Sequence, residues 1–264
     1  VIKNVLTIAG TDCTGGAGIQ ADIKAISANG SYAMSVITAV VAQNTQGVQQ
    51  IQMMPTDLIR AQLDSVFSDV QVDAVKIGML GTAEVIRCVA EALQTYQPTK
   101  VVLDPVMVAK SGDRLLDSDA VAALRELLLP QVGLITPNLP EAADLLGEAE
   151  ATTREQMLEQ AERLGVATFL KGGHLLNQPD SPDLLWVEGQ SQWLEAARIA
   201  TKNSHGTGCT LSAAIATFWS QGDSLSLACA KAKAYLTGAL AHADELNVGH
   251  GHGPVHHFYA YYER

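Results

Sequence analysis

Two glycine-rich turns in this 264-residue chain each run from an apolar segment into a helical pattern, and each has the makings of a phosphate cradle. The later turn is Thr201-Lys-Asn-Ser-His-Gly206-Thr207-Gly208-Cys209. After it, Leu211, Ala214, Ile215 and Phe218 fall on one helical face. A helix opening there leaves its first N–H groups without intrahelical acceptors, and its dipole adds to them. Gly206, Thr207, Gly208 and Cys209 are thus expected to frame an anion hole. The same field is expected to lower the Cys209 thiol pKa. Lys171 follows the apolar run Ala167–Leu170 and precedes Gly172, Gly173 and His174, a compact charge suited to phosphate. Asp104, just beyond Val101–Leu103, can take Mg²⁺ directly or through water; a turn or cap aspartate is the plainer reading. Asn138 and Glu141 have capping-box spacing, with Pro140 tolerated in the first turn. That spacing also serves to aim a carboxylate at a hydrated metal ion.

The earlier turn, within Ala9–Ala25, contains Gly16-Ala-Gly18-Ile-Gln-Ala21, which fits a dinucleotide-binding pattern. That pattern expects an acid at the end of the next strand, but Ala42-Gln43-Asn44-Thr45 supplies none. A tight strand-to-helix turn is the bland alternative, yet Asp12 and Asp22 make it more polar than that requires. No Walker A sequence occurs. The late run His250-Gly-His252-Gly-Pro-Val-His256-His257 reads as a glycine-rich turn rather than a metal site, for want of a nearby carboxylate or cysteine.

Strands must present these residues. Val5–Ile8, Val36–Val41, Ala74–Ile77, Val101–Leu103, Val132–Thr136 and Ala167–Leu170 are apolar, β-branched runs of the kind covered on both faces. Helical patterns lie between them; Ile59, Leu63, Val66 and Phe67 share one face. The alternation predicts an α/β fold with a mostly parallel sheet flanked by helices, and ligands beyond the strands' carboxyl ends. Leu184–Val187 and Gln192–Leu194 around Glu188-Gly189 read as a hairpin, and Asn177–Asp183 as a surface turn. Ala109–Arg114, polar and glycine-containing, is expected to be a lid or a plain loop.

Hydrophobic residues make up 47% of the chain, and no low-complexity linker divides it, which suits one domain over residues 1–264. Net charge is −11, and the 17 Lys and Arg residues are scattered, which argues against a nucleic-acid surface. No apolar run is long enough for a membrane-spanning helix. Four cysteines without CxxC or zinc spacing, and no signal-peptide pattern, point to reduced thiols in the cytoplasm.

The ordered set Gly-Gly-Ala-Gly-Ile-Gln-Ala-Asp22, Ala-Gln43-Asn-Thr-Gln-Gly, Lys-Ile-Gly-Met79, Asp104-Pro-Val-Met, Thr-Pro-Asn-Leu-Pro-Glu141, Lys171-Gly-Gly-His and His-Gly-Thr-Gly-Cys209 resembles the hydroxymethylpyrimidine/phosphomethylpyrimidine kinases of thiamine biosynthesis. The resemblance spans Val5 to Phe258 and implies a ribokinase-like three-layer sandwich. It also implies two successive phosphorylations of 4-amino-5-hydroxymethyl-2-methylpyrimidine, using ATP and Mg²⁺. By the same resemblance, Asp22 and Gln43 hydrogen-bond the pyrimidine ring, Met79 and Val106 line its faces, and Gly10 lies beside it. Lys171 and the Gly206–Cys209 amides hold phosphate, Asp104 and Glu141 serve Mg²⁺, and Thr201 and Lys233 lie near the nucleotide. Cys209 stands where many ribokinase-like enzymes have an aspartate base. Homodimers are usual in this fold family. A pyridoxal kinase of the same fold is the nearest rival, although Gln43 and Met79 favour the pyrimidine; a non-catalytic pyrimidine- or phosphate-binding protein is the more distant one.

Overall fold

The computed structural model describes residues 1–108, 112, 114–173, 175, 180 and 182–262. Its strands are β1 (Asn4–Gly10), β2 (Tyr32–Asn44), β3 (Gly47–Met53), β4 (Ala74–Ile77), β5 (Val101–Leu103), β6 (Leu134–Ile135), β7 (Thr168–Lys171), β8 (Asp183–Val187) and β9 (Gln190–Leu194). The helices are α1 (Gly18–Ala28), α2 (Thr56–Asp69), α3 (Ala83–Tyr96), α4 (Ser118–Ala123), α5 (Leu139–Leu146), α6 (Arg154–Arg163), α7 (Thr207–Ser220) and α8 (Leu225–Ala241).

Among the described residues nine strands join one sheet in the order β3-β2-β1-β4-β5-β6-β7-β8-β9. Pairing is parallel from β2 to β7. It is antiparallel at the two margins. Side chains alternate across a pleated sheet. Leu6, Ile8, Val75, Ile77 and Leu103 therefore pack with α2 and α3 on one face. Val5, Ala74, Val102 and Leu134 pack with α1, α7 and α8 on the other. Each buried Leu or Ile contributes about 1.5–3 kcal/mol, so this double coverage is the main source of cohesion. The alternation also turns Thr7 and Lys76 toward α1 and α7.

Strand order reverses between β1 and β4, which opens a crevice at their carboxyl ends. Two expected strands, Ala74–Ile77 and Val101–Leu103, match the structure end to end. Val132–Thr136 contracts to Leu134–Ile135, because a helical turn at Leu129–Gln131 precedes it and Gly133 lies under the Trp219 ring. The hairpin turns at Glu188 and Gly189, both left-handed, as a two-residue connection between twisted strands requires. Ala109–Ser111 and Asp113 of the expected lid, His174, and Asn177–Pro179 and Ser181 of the expected surface turn lie outside the described residues. Among the described residues no helix is long and apolar enough to cross a membrane.

Candidate active site

A cleft of about 850 Å³ opens at the carboxyl ends of β1, β4, β5 and β7. All but one of the candidate residues border it: Gly10, Gln43, Met79, Val106, Asp104, Glu141, Lys171, Thr201, Gly206, Thr207, Gly208, Cys209 and Lys233. The exception is Asp22. Its carboxylate receives Lys76 Nζ at 2.8 Å on both oxygens and the Thr7 hydroxyl at 2.6 Å. It is fully buried and does not border the cleft, where Asp22 is expected to hydrogen-bond a ring. Lys76 occupies the cleft floor instead.

The two glycine loops meet backbone to backbone. Gly206 begins α7 in the left-handed region at φ 80°, and a Cβ there would lie 1.7 Å from the Gly16 carbonyl oxygen. Gly18 begins α1 at φ 55°, where a Cβ would lie 2.3 Å from the Gly10 carbonyl oxygen. Only glycine permits both approaches. Asp12 fastens the loops together. Its carboxylate accepts from Thr14 N, Thr14 Oγ1, Gly16 N and Ala17 N, and lies 2.8 Å from His205 Nε2. Burial raises the pKa of Asp12, but the bonds from His205 and Thr14 more than offset this and hold it below the usual carboxylate range.

Neither α1 nor α7 has a side-chain cap at its start. The first intrahelical bond of α7 runs from Thr210 N to Gly206 O, so the amides of Thr207, Gly208 and Cys209 have no acceptor within the helix. All three residues border the cleft, where an anion hole is expected. The expected lowering of the Cys209 pKa is overturned. Burial pushes the thiol up to about 11, and Lys76 and the Gly18 amide only partly counter it. Desolvation outweighs the helix field here.

Lys171 Nζ lies 3.5 Å from Asp104 Oδ1, and a Cβ on Gly208 would lie 3.3 Å from that ammonium. Burial pulls the Lys171 pKa down, but Asp104 and Glu141 reverse this, so the ammonium keeps its proton. No helix starts at Asp104, which removes the cap reading; Thr136 Oγ1 approaches it at 3.4 Å. The capping box is present in full, from Asn138 N to Glu141 Oε2 at 2.9 Å and from Glu141 N to Asn138 Oδ1 at 2.8 Å. Glu141 borders the cleft as well, and burial raises its pKa to about 7 against the pull of Lys171. Two carboxylates are few for a caged ion, but they suit Mg²⁺, which is held by one or two carboxylates together with waters and substrate phosphates.

Gln43 Nε2 donates to Thr11 O at 3.3 Å, and Met79 Sδ lies 3.2 Å from the Cβ position of Gly10. Thr201 Oγ1 donates to Asp244 at 2.6 Å. Lys233 pairs with Asp183 at 2.7 Å, and Asp183 accepts from Gly172 N at 2.9 Å, which anchors the turn after Lys171. His257 lies 2.9 Å from the Thr210 hydroxyl, with burial pushing its pKa down to about 3, so it braces α7 as a neutral ring. Sequence reasoning passed over Lys76, His205 and Asp183. The first had a signal: a lysine inside the apolar run Ala74–Ile77 is seldom buried without a partner.

Helix-start amides without an intrahelical acceptor, a protonated lysine and two acids around a cleft at the switch point of a ribokinase-like sheet define a phosphotransferase. A family model described as phosphomethylpyrimidine kinase matches residues 12–256, and the chain belongs to that family. The chain is 56% identical over 263 residues to the hydroxymethylpyrimidine/phosphomethylpyrimidine kinase of Escherichia coli strain K12, covering 98% of each. It superposes on Bacillus subtilis pyridoxal kinase, solved as an ADP complex, with a TM-score of 0.90, 36% identity and coverage of 97% and 98% of the two chains. Phosphomethylpyrimidine kinase from Clostridium difficile 630 gives a TM-score of 0.80 and 39% identity, covering 90% of this chain and 99% of that one.

Proposed function

We propose that this chain transfers phosphate from ATP to 4-amino-5-hydroxymethyl-2-methylpyrimidine, and then again to the resulting monophosphate. The observation that carries the reading is the convergence of both glycine loops, Lys171 and Asp104 on one cleft. In the first step the hydroxymethyl oxygen bonds to the γ-phosphorus as the bond to the ADP oxygen breaks. The hydroxyl proton passes to the thiolate form of Cys209. In the second step an ionised phosphate oxygen of the monophosphate attacks, and no base is needed. Lys171 and the amides of Thr207, Gly208 and Cys209 neutralise charge on the transferred group. Gln43, Met79, Val106 and Gly10 form the acceptor end; Thr201 and Lys233 border the nucleotide end. Asp104 and Glu141 would hold Mg²⁺, which would supply positive charge to offset that of the phosphates.

Glu141→Gln retains an oxygen for the cap while removing the charge. It is expected to raise the Mg²⁺ concentration for half-maximal rate about tenfold or more, a loss of one of two carboxylates. Because the Glu141 pKa is raised to about 7, the wild-type Mg²⁺ requirement should rise as pH falls through 7, and the variant should lose that dependence. An unchanged Mg²⁺ titration in the variant would remove Glu141 from the site.

The reading extends to one kinase domain over residues 1–264 acting as a cytoplasmic homodimer, which sedimentation and cell fractionation test. The central experiment offers Mg·ATP with three acceptors: the hydroxymethylpyrimidine, its monophosphate, and pyridoxal, with products resolved by mass. Turnover of both pyrimidines is expected. Turnover of pyridoxal alone would make the chain a vitamin B6 kinase.

A further inference from the structure

The two acceptors of the proposed reaction differ mainly in charge: one is a neutral alcohol, the other a phosphate. One cleft must serve both. Among the described residues three buried or part-buried lysines border it. Lys171 lies by Asp104 at the end of β7, and Lys233 is joined to Asp183 at the start of β8. Both belong to the side where β7, β8 and α8 meet. Lys76 is the lysine of the acceptor side. It stands on β4 two residues before Gly78, and a Cβ on Gly78 would lie 3.1 Å from its Nζ. Met79, the next residue, is a wall of the acceptor end.

Lys76 is wholly buried, and so is its partner. Asp22 reaches it from α1, and Thr7 Oγ1 donates to Asp22 from β1 at 2.6 Å. α7 packs over β4 and beside α1. Asp22 does not border the cleft and Lys76 does, so the pair presents its cationic end to the acceptor. In that low-dielectric floor a fixed charge acts over several ångströms with little screening. Burial pulls the Lys76 pKa down, but Asp22 reverses this, so the charge is permanent.

We propose that Lys76, oriented by Asp22 and Thr7, is a specificity-determining residue that admits the anionic acceptor of the second phosphorylation. It acts by its field rather than by contact, favouring the phosphate-bearing acceptor over the alcohol. The proposal rests on the two-step kinase reading above.

The test compares wild type, Lys76→Met and the double variant Asp22→Asn/Lys76→Met. The double variant removes both charges, and so avoids leaving an unpaired carboxylate in the interior. Titration calorimetry without nucleotide measures the dissociation constants of the hydroxymethylpyrimidine and of its monophosphate. The ratio of monophosphate to alcohol constants is expected to rise about threefold in the double variant, the effect of losing a buried ion pair whose cationic end lies nearer the acceptor. In turnover, kcat/KM for the second step should fall by the same factor relative to the first. Thermal unfolding of each variant separates this from loss of fold, because a structural effect lowers both acceptors in proportion. An unchanged ratio in folded double variant, with wild type binding both pyrimidines, overturns the inference alone. Wild type that binds neither pyrimidine overturns the kinase reading and this inference together.

Discussion

Lys171→Met is expected to lower kcat for both acceptors by about 10²–10³-fold, the cost typical of removing one donor aimed at developing charge. The reason is geometric. Lys171 stands at the end of a buried strand, its ammonium 3.5 Å from Asp104 and beside Gly208, where the transferred group must sit. Methionine keeps most of the stem and its packing and deletes only the ammonium. The lost interaction belongs to the transition state, so kcat and kcat/KM should fall together while KM changes little. The contact with Asp104 is long and part-exposed, so the fold should lose little, and thermal unfolding provides that control. A variant within tenfold of wild type would remove Lys171 from the chemistry.

Cys209→Ala is expected to divide the two steps. The alcohol needs its proton removed, and losing a positioned base costs about 10²–10⁴-fold. The ionised acceptor needs no base, so its step should fall less than about tenfold, on the same reasoning. The pH dependence sharpens the test. With the thiol pushed up to about 11, only a small thiolate fraction exists near neutrality, and that fraction grows as pH rises toward 11. First-step kcat/KM in wild type should therefore climb by about tenfold per pH unit above neutrality, as a base with a higher pKa dictates. The second step should lack that slope, and Cys209→Ala should abolish it in the first. Equal losses in both steps, or a flat first-step profile in wild type, would exclude Cys209 as the base.

What the sequence disclosed follows from burial. β4 and β5 are covered on both faces, so Val101–Leu103 stands out as an unbroken apolar run and Ala74–Ile77 as one interrupted only by Lys76. β3 is an edge strand with Gln49, Gln50, Ile51 and Gln52 exposed, and neither an apolar run nor a clean alternation marks it. The site was legible where a glycine loop or a charge followed a strand, as at Gly206–Cys209, Lys171 and Asp104. It was not legible where function depends on partners far apart in sequence. Asp22 meets Lys76, and Asp12 meets His205, only once the sheet has formed. The Cys209 pKa failed for a related reason: a helix start can be read locally, but the depth of burial over it cannot.

The Asp12–His205 clasp has a consequence for biosynthesis. The two residues are 193 positions apart, so the first glycine loop leaves the ribosome long before its partner exists. Until then Asp12 can gather its own loop amides, but the Gly16 carbonyl has no Gly206 to pack against. The nascent chain thus carries a half-built cradle through most of translation, and closing so long a loop is a late, entropically costly event. Phosphate-binding competence is in this sense a property of the completed chain, withheld until α7 docks.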